Sequence, residues 1–252
     1  MTNNPTKFHL ADRKFSAKVA LNTLRNSNHE LGRPLALCLM FESAENQAMA
    51  ASVFELAITL DAALNIPKET LLAAIRIQWW ADALRETFNE NVTLLNRLQE
   101  HFQMRCEFHQ QLQDMISKFQ AACHNENRDS VDGWAEAWRI VAIQLGHANA
   151  SDLVTKIGVN MHYKVRKHKS IGHSASINSA SIKDLRRNDK GELRSWLYMA
   201  ACLNLKLQND LLDLNPRRVY LGFDDPTLVW RILGWHFFGP PLSGTKTPSR
   251  AY

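Results

Sequence analysis

Between residues 13 and 167 the chain carries strong turn chemistry at Gly32-Arg33-Pro34, at Asn65-Ile66-Pro67 and along Asn125-Glu126-Asn127-Arg128-Asp129. Between those breaks, apolar residues recur three and four apart, the spacing of one face of an α-helix. Glycine (10) and proline (8) are scarce for 252 residues, and alternating β-branched runs are rare. A chain punctuated so sparsely cannot supply the short strands and tight turns of a sheet, so the expected fold class is all-α. The periodicity places helices over 13–26, 35–41, 45–64, 68–89, 92–123, 130–145 and 150–167.

No composition shift marks a domain boundary before residue 170. A serine-rich stretch then runs over 170–181 and reads as a loop, followed by a charged run over 183–190. Further helices are expected over 191–212 and 227–238. Gly239-Pro240-Pro241 ends the last of them, so residues 1–238 are expected to form one helical domain and 239–252 a disordered tail.

Hydrophobic residues at 45% and charged residues at 22% are those of an ordinary globular protein. The formal charge of +5 favours anionic surroundings without choosing among membrane, phosphate and nucleic acid. Cys38, Cys106, Cys123 and Cys202 lie far apart and form no CxxC pair, which argues against a zinc site or a secreted disulfide framework. The first residues lack the pattern of a signal peptide, and no window reads as a membrane span. The histidines form no HExxH motif and read as scattered surface or capping residues. No metal site is assigned.

The most distinctive stretch is Ala74-Ile75-Arg76-Ile77-Gln78-Trp79-Trp80-Ala81-Asp82-Ala83-Leu84-Arg85. Read as a helix, Ala73, Ile77, Trp80, Leu84 and Phe88 share one stripe, while Gln78, Asp82 and Arg85 line another face. The run Tyr163-Lys164-Val165-Arg166-Lys167-His168-Lys169 is densely basic: a solvated face, or a grip on phosphate or an anionic headgroup. Asp210 and Asp213 stand one helical turn apart before Pro216, where exposed acids commonly end a helix, although such a pair could also meet magnesium. The aromatic segment Val229 to Phe238 reads as a helix closing the core.

The segment Arg33 to Phe41 leading into the helix up to Leu64, followed by Arg76-Ile77-Gln78-Trp79-Trp80-Ala81-Asp82, resembles the squalene/phytoene synthase family. The tryptophan pattern is similar to the branch that holds bacterial relatives and a mitochondrial complex I assembly factor of this fold. Trp134-Ala135-Glu136-Ala137, Leu145-Gly146, Asp210 to Pro216 and Leu228 to Trp235 resemble further elements of it. The resemblance covers roughly residues 30–170 and 205–238. It implies an isoprenoid-synthase-like helical bundle, shortened towards the C-terminus between residues 185 and 204.

Enzymes of that family join two prenyl diphosphates head to head, holding them through Mg²⁺ on two aspartate-rich motifs. Several carboxylates must converge for Mg²⁺ to bridge to a diphosphate. This chain departs from the pattern. The first motif's place offers only Glu55 and Asp61, six apart and on different faces, and the second motif's place carries bases where acids belong.

The favoured expectation is therefore a non-catalytic binding or assembly factor without a cofactor. Arg76, Gln78, Trp79, Asp82, Lys164, Arg166 and Lys167 would meet its ligand or partner. That partner would be a protein or a membrane lipid, with an isoprenoid ligand in a retained cavity; nucleic acid is not expected. The expected location is the cytoplasm or the inner-membrane surface, on the matrix side in a eukaryote. The alternative is a prenyltransferase with Glu55, Asp61 and Asp82 as degenerate metal carboxylates and Mg²⁺ as cofactor. A third reading is a peripheral membrane-binding module.

Overall fold

The computed structural model describes residues 17–65, 69–85, 92–102, 106–125 and 128–165, together with 229, 230 and 233. They are predominantly helical, and no strand occurs among them. Helix α1 includes residues 17–25. It is followed by α2 (Gly32–Leu39), α3 (Ala44–Asn65), α4 (Thr70–Arg85), α5 (Thr93–Phe102), α6 (Cys106–Cys123), α7 (Val131–Gln144), a 3-10 turn (Ala148–Ala150) and α8 (Ser151–Val165).

The helix boundaries follow local chemistry. Pro34 sits in the first turn of α2, where a missing N–H costs nothing. Ser43 caps α3 by accepting from the Asn46 N–H at 3.3 Å. The Gln47 side chain then donates to the Met40 and Glu42 carbonyls at 3.1 and 2.8 Å, which closes the α2–α3 turn. Helix α7 ends in a Schellman motif: Gly146 takes φ +87°, its N–H reaches the Ile143 carbonyl at 3.0 Å, and the His147 N–H reaches Ala142 at 2.8 Å.

Helix α3 is the hub, touching α2, α4, α5, α6 and α7. It is 22 residues long with a mean hydropathy of 1.3, long and apolar enough to cross a bilayer. This corrects the expectation that no window reads as a span. Here most of that surface is covered by neighbouring helices, and Phe54, Leu56 and Leu60 are fully buried. Trp134 and Trp138 of α7 join them, Trp138 meeting Phe54 edge-on at 5.1 Å. Val229 packs against the same core.

The helix expected over 92–123 is described as α5 and α6, on either side of residues 103–105, which lie outside the described residues. The apolar period runs through Leu94, Leu98, Phe108 and Leu112 without a glycine or proline, so spacing alone joins them. They differ in neighbours: α5 packs chiefly on α3, whereas α6 packs chiefly on α7 and α4. The histidine expectation is also corrected. His101 and His162 are buried, and His29 and His162 both lie against the Trp134 indole, at 5.2 and 5.8 Å. The serine-rich stretch, the aspartates near 210, the shortened segment and the tail fall outside the described residues.

Candidate functional site

Helix α4 is apolar on two opposite sides. Ala73, Ile77, Ala81 and Leu84 turn inward and are buried, and Trp80 is half-buried against the core. Leu71, Leu72, Ile75 and Trp79 face outward at 72%, 41%, 56% and 44% exposure. The outer stripe is thus an exposed apolar surface among the described residues. Trp79 is braced by Trp80, edge to face at 5.0 Å.

Two open cavities flank that stripe, with Ile75 and Trp79 common to both. One, of about 630 Å³, adds Ala74 and a polar wall of Gln78, Asp82, Gln120 and His124. The other, of about 460 Å³, adds Thr59, Ala62 and Ala63 of α3 with Arg76 and Trp80. The polar wall is a directed chain: Gln120 Nε2 donates to Gln78 Oε1 at 2.7 Å, and Gln78 Nε2 donates to Asp82 Oδ1 at 2.8 Å. Arg85 Nη1 stands 3.7 Å from the same Oδ1.

Helix α6 holds α4 in place beneath this wall. Its Gln113 amide donates to the Ala81 carbonyl at 3.2 Å, and His109 Nε2 binds the Leu84 carbonyl at 2.9 Å, one of the acceptors a helix end leaves open. The structure thus brings Gln78, Trp79 and Asp82 to one cavity and Arg76 to its neighbour.

The other candidates lie elsewhere. Glu55 forms an ion pair with the buried Arg97 of α5. Burial pushes the Glu55 carboxyl up, and the Arg97 charge and hydrogen bond offset this only in part. Asp61 accepts from the Ser130 hydroxyl and stands 4.0 Å from His29 Nε2. Among the described residues, no three His, Cys, Asp or Glu side chains gather as a metal would require. Lys164 falls on the last turn of α8, and Arg166 and Lys167 lie outside the described residues.

Sequence reasoning missed Arg97, Gln120 and His124. Nothing in the spacing of Leu95, Arg97 and Leu98 distinguishes a buried cation from an exposed one. Gln120 and His124 become neighbours of Gln78 only through the packing of α6 on α4.

Compared with known proteins, the chain matches no family model, no curated protein and no solved structure.

Proposed function

We propose that this protein acts by binding rather than by catalysis, as a non-catalytic assembly or docking factor on a squalene/phytoene synthase-like helical bundle. The observation that carries the reading is the fate of the two acids that stand where the resemblance puts a magnesium motif. Glu55 is tied to Arg97 and Asp61 to Ser130, on separate sides of α3. Freeing either for Mg²⁺ would strand a buried partner, which costs about 3–5 kcal/mol for a charged one.

The docking surface is the outer stripe of α4. An exposed indole between two cavities, rimmed by polar side chains, is the arrangement that anchors protein interfaces. The same surface offers an apolar bed to a lipid or isoprenoid chain. In this reading the protein needs no cofactor and resides in the cytoplasm or at the inner-membrane surface.

The test is incubation of the purified protein with farnesyl and geranylgeranyl diphosphates and Mg²⁺, following pyrophosphate release. No release is expected. Release that vanishes in Glu55→Gln or Asp61→Asn would replace this reading with the prenyltransferase one.

A further inference from the structure

The outer face of α4 carries a charge pattern that its apolar stripe does not explain. Arg76, Trp79 and Asp82 form one i, i+3, i+6 row, with a cation and an anion equally spaced about the indole. All three are exposed. Arg76 makes no ion pair or hydrogen bond among the described residues. Both contacts of Asp82, to Gln78 and Arg85, use Oδ1, so Oδ2 is open among the described residues. Arg76 fronts one cavity and Asp82 the other, and the Trp79 indole is the wall between them.

We propose that two copies of this chain pair through this face about a two-fold axis at Trp79, so that Arg76 of each enters the Asp82 cavity of the other. With Arg76 at one end and the open Oδ2 of Asp82 at the other, Arg85 staying on Oδ1 at 3.7 Å, the row is complementary to itself when reversed, as an isologous interface requires. The entering guanidinium finds Asp82 Oδ2 and Gln120 Oε1 as acceptors and the Trp79 ring to stack on. Between the two ionic ends, the two Trp79 indoles meet and exclude water.

An anionic membrane suits this face less well, because it would press Asp82 against lipid phosphates. A partner of a single charge sign would leave one end of the row unmatched.

The inference rests on the reading of α4 as a docking surface, and sedimentation velocity over a range of protein concentrations tests it. A monomer–dimer equilibrium is expected. Arg76→Glu and Asp82→Arg each set like charges opposite one another and should weaken pairing roughly tenfold or more. The double variant R76E/D82R should restore it, and Trp79→Ala should remove it, with melting temperatures near that of the parent. A monomer at every concentration overturns the inference, as does a dimer indifferent to both single variants or a double variant that fails to rescue. A monomer that floats with phosphatidylcholine–phosphatidylserine vesicles, and ceases to on Trp79→Ala, also overturns it in favour of a lipid surface. None of these outcomes touches the non-catalytic reading, which falls only on diphosphate turnover.

Discussion

Glu136 of α7 shows how this fold treats a buried charge. It is almost fully enclosed, yet it is held by Lys118 from α6 and by Arg139, whose Nε donates at 2.8 Å. Burial pushes its carboxyl up, but the hydrogen bonds and charges of Arg139 and Lys118 outweigh burial and hold it below the usual 4.5. Its contribution to stability is therefore present above pH 4.5 and is lost as the pH falls through the lowered value. Urea unfolding at neutral and acidic pH should show this loss, and Glu136→Gln should flatten that limb while costing about 1–3 kcal/mol at pH 7.

Glu55 has the opposite sign. Its raised carboxyl contributes stability below pH 4.5 that is lost as the pH rises through the higher value in the fold. Arg97 Nε and Nη1 find no acceptor among the described residues, so the pair is held at a desolvation cost. Glu55→Leu alone should destabilise by about 3–5 kcal/mol, because it strands a buried guanidinium. Glu55→Leu with Arg97→Met should recover most of that loss in the same unfolding measurement, since it removes both charges together.

At the scale of the helix, α8 and α7 approach so closely that Gly158 has no room for a side chain. A Cβ there would lie 2.1 Å from Trp138 Cγ. By propensity alone Gly158→Ala should stabilise α8 by about 1 kcal/mol. Overpacking against a fixed, fully buried indole reverses the sign, and thermal unfolding should show a net loss of about 1–3 kcal/mol. The start of α7 shows a similar override. Ser130 is an N-cap residue by type, but its hydroxyl donates to Asp61 instead of capping its own helix. Asp129 takes over part of that task by accepting from the Val131 N–H at 3.1 Å.

Across the whole molecule, the aromatic residues of α7 join the helices into one core. Trp138 touches Phe54 of α3 and backs onto Gly158 of α8, so Trp138→Ala should cost about 3–5 kcal/mol by denaturant titration. The all-α class was legible in the sequence because helical periodicity and scarce turn residues are local properties that each segment carries alone. The starts of α3 at Ala44, behind the capping Ser43, and of α7 at Val131 fall within a residue of the expected 45 and 130 for the same reason. Part of the candidate site was legible too: the i, i+4 spacing of Gln78 and Asp82 already sets them on one face of α4. Spacing also picked out the Ile77, Trp80 and Leu84 stripe that packs on the core and set Glu55 and Asp61 on different faces. What it could not decide was that Leu71, Ile75 and Trp79 stay exposed, that α6 completes the polar wall with Gln120, and that Glu55 and Asp61 meet Arg97 and Ser130. Those outcomes join residues dozens of positions apart, and a period of 3.6 says which residues share a face but not what that face meets.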